Sequence, residues 1–225
     1  MSRGLSKAGI VQAALGVLDE AGFDGLTVRA VAARLGVKAP ALYWHVRDKQ
    51  ELIDEMATEV WRQVVAELTE LTALPGDWPW DRVMTEFAMI TRRALLAHRD
   101  GARVFSGTYL TDPGVLEAQE RALEKMMREG FTLAGIVRAY ALLYNFIVGF
   151  CIEEQSVAQA IAAGDKRYSL ERRAERVDQQ AHPLVVESGP EIFGDPDERF
   201  ADLVAVIVDA ASRMRTAQGP ERTGT

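Results

Sequence analysis

The chain of 225 residues has a single cysteine, Cys151, and only three histidines, His45, His98 and His182, on three unrelated segments. One thiol closes no internal disulfide, no Cys/His grouping has the spacing of a structural zinc site, and no nucleophile–base grouping can be read. Long apolar runs are scarce. The most apolar stretch, 139–152, is short for a membrane span and contains Asn145, which favours a buried helix. The first residues, MSRGLSKAGIVQAAL, are interrupted by Lys7 and Gln12 and lack a small-residue cleavage site. No export leader and no membrane partner are expected, and a reducing cytoplasm is the expected compartment. Strict apolar alternation is also rare, which leaves few candidate strands, and there is no internal repeat or low-complexity tract.

What the chain has in quantity is helical spacing. With 48% hydrophobic and 26% charged residues it has the balance of an ordinary globular protein. Apolar residues recur at intervals of three and four from end to end, which predicts an all-α fold. Ser6 can cap a first helix that carries Ile10, Ala13, Ala14, Val17 and Leu18 on one face and stops at Gly22. Thr27 opens a short helix over 28–35, and a third follows over 39–46. Asp48-Lys49-Gln50-Glu51 reads as a capping box, with Asp48 on the third amide and Glu51 reaching back. It opens a long helix over 49–71, with apolar positions Leu52, Ile53, Met56, Val60, Val64 and Leu68, stopped by Pro75-Gly76-Asp77. Further helices are expected over 80–98, 101–105, 112–128, 132–163 and 196–216, the last with its own box from Asp195 and Glu198. Between Gly164 and Gly194 the mixture of charges with His182-Pro183 and Gly189-Pro190 predicts mobility and one short helix near 169–180. The organisation expected is a three-helix unit over 1–48, a larger helical unit over 49–217 and a flexible tail over 218–225.

A net charge of −7 taken alone argues against a nucleic-acid partner. Its distribution argues the reverse. Residues 1–49 hold seven basic groups and four acidic ones, net +3, which leaves −10 on the rest. In the same segment two short helices meet at a tight glycine-containing turn, the helix-turn-helix pattern, with Ala33, Gly36 and Leu42 allowing close packing. Val31, Leu35, Val37 and Leu42 are expected to pack on the first helix, because helices this short do not persist alone. Ala39, Pro40, Ala41, Tyr43, Trp44 and His45 are expected on the exposed surface beside Lys38. Small residues there admit the backbone to a major-groove floor, and Tyr43, His45 and Lys49 suit phosphate contacts. The alternative is that Tyr43 and Trp44 pack under the long helix.

At Leu26-Thr27-Val28-Arg29, Leu35-Gly36-Val37 and Leu42-Tyr43-Trp44-His45-Val46-Arg47-Asp48-Lys49 the chain resembles the tetracycline repressor (TetR) family of transcriptional regulators. The resemblance implies that Arg29 reaches a base edge from the second helix and that Thr27 touches phosphate. It also implies that Pro40, Tyr43 and Trp44 face the groove and that Lys49 holds the DNA backbone. Ala39 and Ala41 stand where the tetracycline-responsive branch has Gln and Thr. Losing a bidentate adenine reader changes discrimination by roughly 1–3 kcal/mol at that base pair, so a different operator is implied.

The resemblance continues through Ala94-Leu95-Leu96-Ala97-His98-Arg99-Asp100-Gly101-Ala102, Gly107-Thr108, Gly130-Phe131-Thr132-Leu133 and Gly149-Phe150-Cys151-Ile152-Glu153-Glu154-Gln155. In that branch these segments enclose a small-molecule pocket and dimerise through a bundle of the last two long helices. The branch binds its drug as a magnesium chelate, but the position of the histidine ligand is Phe105 here, and phenylalanine cannot ligate magnesium. Val65, Phe87 and Thr91 replace other polar drug contacts, Thr108, Glu153 and Glu154 remain, and an added residue shifts the match around Arg121. The expectation is a dry aromatic pocket walled by Phe87, Phe105, Tyr109, Tyr140, Tyr144 and Phe146. Thr91, Thr108, and Asn145 or Arg121 are its polar contacts, and no metal or other cofactor is implied. Glu153 and Glu154 read as a solvated face, and His98 as a partner of its helix C-terminus.

Independently, 132–152 is apolar nearly all round and needs cover on every side. The helix holding Leu203, Val204, Ile207, Val208 and Ala211 supplies a second element for a two-fold interface. One helix in the middle of a monomeric core is the alternative. These readings converge on a homodimeric repressor bound to double-stranded operator DNA, released by a hydrophobic or aromatic small-molecule effector, and not an enzyme. An activator or a ligand-independent regulator would keep the same DNA module. An all-helical enzyme using Glu153 and Glu154 as an acid/base pair is the alternative from another class.

Overall fold

A computed structural model of the chain describes residues 5–73, 78–110, 112–165, 167, 172 and 175–215. Their order is α1 (Lys7–Gly25), α2 (Val28–Arg34), α3 (Ala39–Leu42), α4 (Lys49–Thr72), α5 (Trp80–Leu96), α6 (Gly101–Phe105), α7 (Pro113–Arg128), α8 (Leu133–Ala162), α9 (Pro183–Glu187), α10 (Gly189–Phe193) and α11 (Pro196–Ser212). Among the described residues no strand forms, and the fold is all-α.

Helix starts follow the capping chemistry of the sequence. Ser6 Oγ accepts from the Gly9 amide at 3.2 Å, Thr27 Oγ1 from Ala30 at 3.1 Å, Asp48 from Glu51 at 2.8 Å, Asp112 from Val115 at 3.1 Å and Thr132 from Gly135 at 3.1 Å. The box at Asp48 closes differently from expectation: Glu51 Oε2 accepts from the Arg47 amide at 2.5 Å and from its guanidinium at 3.0 Å. Pro79, at the N-cap of α5, has no side-chain oxygen to offer. Glu129, beyond the end of α7, accepts the Trp80 N–H at 3.3 Å in its place.

Several boundaries differ from the sequence reading. α1 breaks at Gly22, where φ is +70°, a value glycine adopts freely, but it resumes for one turn to Gly25. The third helix is Ala39–Leu42, not 39–46. Asp48 must be extended (φ −155°, ψ −177°) to cap α4, so the chain leaves helical geometry after Leu42 through a turn. That turn is held by bonds from the His45 and Val46 amides to the Leu42 carbonyl at 2.8 and 3.0 Å. α11 ends at Ser212. α9 and α10 occupy part of the stretch expected to be mobile. Where a helix is read near 169–180, the described residues 175–180 form turns and bends and no helix, and 169–171 and 173–174 lie outside the described residues, as do the stop at Pro75-Gly76-Asp77 and the tail over 218–225.

Ile10, Ala14 and Leu18 of α1 share one buried cluster with Val31, Leu42, Leu52 and Met56, while Leu35 and Val37 are only half-buried against it. Leu42 is the one buried residue of α3. Its burial is worth roughly 1.5–3 kcal/mol, and without it so short a helix would not persist. α4 runs from this unit into the larger one, where it packs on α5, α6 and α7. α8 is long and apolar enough to cross a membrane by length and composition, but its inner face packs on α5, α6, α7 and α11 of the same body. Cover on every side is not provided by the described residues of one chain. Ile136, Ala139, Leu143, Ile147 and Cys151 are buried, whereas Leu133, Val137 and Leu142 stand exposed on the other face. α11 repeats the pattern, with Phe200, Val204 and Ala211 inside and Leu203 and Val206 outside.

Candidate nucleic-acid interface and effector chamber

The reader is built from α2, α3 and the turn after it. In the turn that follows the buried Leu42, Tyr43 and Trp44 stand outward, 53% and 88% exposed. They do not pack under α4. Lys38 and Pro40 are exposed with them, and Ala39, Ala41 and His45 are half-buried. On α2, Thr27 caps the helix through its own hydroxyl, and Arg29 is exposed, with no ion pair to a described residue. Lys49 is placed otherwise than expected for a phosphate contact. Its ammonium donates to the Phe23 carbonyl at 3.3 Å and sits 4.5 Å over the Phe23 ring, because the short path from Gly22 to Leu26 brings that ring under the start of α4.

The reader is mounted on the larger unit through a joint at the start of α6. Asp100 has the only positive φ of a non-glycine described residue, +58°. Its Oδ2 accepts the Phe23 amide at 2.9 Å and its Oδ1 accepts Gln159 Nε2 of α8 at 2.9 Å. Burial would raise this carboxyl. The hydrogen bonds from Gln159 and Phe23, with Arg99 and Arg103 nearby, hold it below the usual aspartate range. His98 does more than face its own helix end: Nδ1 lies 3.1 Å from Asp19 of α1, and the Arg99 amide donates to the same carboxylate at 3.1 Å. Arg103 of α6 lies 4.6 Å from the Phe23 ring, so two cations from two helices share one aromatic residue.

Beyond the joint, α4, α5 and α8 each contribute rings to one cluster. Phe87 lies 6.2 Å from Trp61 at an interplanar angle of 17°, Trp61 lies 5.8 Å from Tyr144, and Phe87 meets Tyr140 edge-on at 5.6 Å. All four are half-buried, so each keeps part of its surface open. Burial pushes the Tyr140 hydroxyl up to about 12 and raises that of Tyr144, so both stay neutral phenols. One turn along α5 from Phe87, Thr91 is 1% exposed and its Oγ1 has no hydrogen-bond partner among the described residues. Trp61 is absent from the sequence reading, although its spacing from Ala57 and Val64 places it on the inner stripe of α4.

Other expected wall residues fall elsewhere. Tyr109 is 77% exposed, on a loop whose amide reaches Asp54 of α4 at 3.4 Å. Arg121 is exposed because α7 turns only Val115 and Met126 fully inward. Asn145 is exposed because it lies one helical step, about 100°, from Tyr144. Phe146 belongs with Phe150 and Phe200 (5.6 and 5.5 Å), toward α11. Phe105 is fully buried with its ring 6.0 Å from that of His98, and its carbonyl accepts the Thr108 hydroxyl at 3.1 Å. A hydrocarbon ring offers no ligand atom, so Phe105 cannot supply the imidazole that holds a magnesium chelate.

Glu153 is exposed, whereas Glu154 accepts two hydrogen bonds from Arg92, at 3.0 and 2.7 Å, and Arg92 also reaches Asp197 at 2.6 Å. Burial alone would lower the Arg92 pKa, but the two carboxylates hold it above its ordinary value. Arg92 of α5 therefore joins Glu154 of α8 to Asp197 of α11, and Glu154 is its counter-ion, not one of an acid/base pair with Glu153.

Two family models match the chain: "Bacterial regulatory proteins, tetR family" over residues 10–56 and "Tetracyclin repressor-like, C-terminal domain" over 72–212. The tetracycline repressor protein class A from transposon 1721 of Escherichia coli is 34% identical over 219 residues, 95% of either chain. A crystal structure of a possible TetR family transcriptional regulator from Streptomyces coelicolor A3(2) superposes with a TM-score of 0.79 at 32% identity, covering 93% of this chain and all of that one. ActR from Streptomyces coelicolor, in complex with actinorhodin, superposes with a TM-score of 0.76 at 25% identity, covering 96% of this chain and all of that one.

Proposed function

Because the chain belongs to the TetR family of bacterial regulatory proteins, we propose that it is a cytoplasmic repressor that binds a palindromic operator as a homodimer and leaves it when an aromatic or hydrophobic small molecule enters the chamber. The observation that carries the DNA half is Trp44, 88% exposed two positions after the fully buried Leu42. A large aromatic held out in water by a turn anchored on the buried Leu42 needs a partner, and Lys38 and Arg29 give that surface its sign. Ala39 and Ala41 approach the groove without a side-chain amide or hydroxyl, so the operator differs from that of the tetracycline-responsive branch.

The uncovered apolar faces of α8 and α11 support a two-fold interface in which each copy covers the other. Two readers then meet half-sites about one helical turn, ~34 Å, or a multiple of it apart. The ring cluster supports an aromatic effector, and Phe105 supports one bound without a metal. Its binding shifts α4, which carries Trp61 in the chamber and Lys49 beside the reader. A coupling of roughly 1–3 kcal/mol changes operator occupancy about 5- to 150-fold.

The test is selection of binding sites from random duplexes, followed by titration of the purified protein against the selected sequence. A palindrome bound with steep salt dependence, and released by an aromatic compound, is the expected result. Binding that is indifferent to salt or to sequence overturns the reading.

A further inference from the structure

We propose that Arg47, and not Lys49, is the cation that holds a DNA phosphate at the start of α4, with Glu51 as the residue that positions its guanidinium. This rests on the operator-binding reading above and deepens it, by moving the phosphate contact to a residue to which neither that reading nor the resemblance gives a role.

Two cations flank the Asp48 cap, and the fold uses them in opposite ways. The Lys49 ammonium is turned back into the protein, 3.3 Å from the Phe23 carbonyl and 4.5 Å over the Phe23 ring. The Arg47 side chain is 85% exposed. An exposed arginine is ordinarily a loose one, spread over many rotamers. This one is held. Glu51 Oε2 accepts both the Arg47 backbone N–H at 2.5 Å and Nε at 3.0 Å, so one oxygen fixes the main chain and the root of the guanidinium together. The same two bonds keep the Glu51 carboxyl below the usual glutamate range, and so ionised. Nε is the one donor of the guanidinium used in this way. The N–H groups on Nη1 and Nη2 bond to no described residue, which leaves the forked end open to two oxygens of one phosphate.

Arg47 also stands where a phosphate passes. Val46, 1% exposed, anchors the chain between Trp44 and Arg47, and its amide is bonded back to the Leu42 carbonyl at 3.0 Å. Three residues of chain span at most about 11 Å. Arg47 is therefore no farther from Trp44 than roughly the 12 Å width of a major groove. At that distance from a groove reader a cation meets the phosphates that line the groove, and not a base edge.

The test measures binding of wild type, Arg47→Gln and Lys49→Gln to labelled duplexes carrying the selected palindrome or a scrambled sequence, at several salt concentrations, together with melting temperature. Each variant loses one positive charge, and the two sites are two positions apart, so a difference between them reports geometry and not net charge. Arg47→Gln is expected to flatten the slope of log K against log salt by about 0.9 per protomer, to weaken both duplexes by the same factor, and to melt as wild type does. Lys49→Gln is expected to melt lower and to keep the wild-type slope. An unchanged slope in Arg47→Gln, or equal flattening in both variants, overturns the inference while leaving operator binding in place. Glu51→Ala tests the positioning. By charge alone it would tighten binding to a polyanion; acting through Arg47 it is expected to weaken it, and to lose that effect in an Arg47→Gln background. Tighter binding by Glu51→Ala overturns the role of Glu51. Should Lys49→Gln fail to fold, Arg47→Lys takes its place: a slope restored to that of wild type supports the assignment, and one as flat as that of Arg47→Gln overturns it. If wild type binds neither duplex, the operator-binding reading falls, and the inference with it.

Discussion

The backbone N–H of Phe23 donates to Asp100 Oδ2 at 2.9 Å across 77 positions of sequence. One carboxylate thus holds the turn that feeds the reader with one oxygen and, through Gln159, the long helix α8 with the other. Asp100→Asn preserves shape and tolerates the same positive φ, but removes the charge and replaces one of the two accepting oxygens with an NH2 donor. It is expected to cost about 1.5–3 kcal/mol in chemical unfolding at pH 7. Because the folded carboxyl titrates below its unfolded value, its stabilisation is present above the unfolded pKa of about 3.9 and is lost as pH falls through the folded value. The gap between wild type and Asp100→Asn should therefore be full at pH 7 and close in strong acid. A gap that stays constant down to pH 2 would show that the charge is not what holds the joint.

Trp44→Ala removes a side chain that touches little of its own protein. Unfolding is expected to change by less than about 0.5 kcal/mol, while operator affinity falls about tenfold or more, ~1.4 kcal/mol. Melting curves and fluorescence anisotropy on a labelled duplex measure the two. A fall in melting temperature without loss of DNA binding would place Trp44 in the fold.

Arg92→Ala leaves Glu154 half-buried and unpaired and is expected to destabilise by about 3–5 kcal/mol. The double variant Arg92→Met, Glu154→Met restores much of that, since two apolar groups of similar length leave no buried charge behind. Denaturant titrations of the single and double variants test this through their non-additivity. Strict additivity would mean that the pair contributes nothing as a pair.

Val206, exposed on α11 in the single chain, tests the two-fold face. Val206→Asp is expected to leave helix content unchanged, shift the sedimenting species to a single protomer at micromolar concentration, and abolish binding to a full palindrome. A dimer that persists would place the interface on another surface.

The fold was legible wherever its signals are local. Ser6, Thr27, Asp48, Asp112, Thr132 and Asp195 announce helix starts because a side-chain oxygen satisfies amides only two or three residues away. Leu42 beside Tyr43 and Trp44 announced the reader, since one buried apolar residue fixes the phase of its neighbours. The ring cluster is harder to read because 132–152 is apolar nearly all round and so gives no phase, and by pattern alone the outward Asn145 fits an inward position equally well. Tyr109 and Arg121 had no such constraint at all, the one on a loop and the other on a helix that buries little of itself. Trp61 did lie on a readable stripe. The joint at Asp100 left no trace in sequence spacing, because a hydrogen bond between residues 23 and 100 has no period.

The Phe23 ring has two cations close to it, the ammonium of Lys49 at 4.5 Å and the guanidinium of Arg103 at 4.6 Å. A cation against an aromatic face is a short-range attraction to a neutral partner, and mobile ions screen it far less than they screen charges facing a polyanion. Raising ionic strength therefore weakens the two halves of this molecule unequally: contacts with phosphates fade first, while the mounting of the reader persists. A protein stripped from its operator by salt should come away with its recognition surface still set, and should rebind on dilution without having to refold.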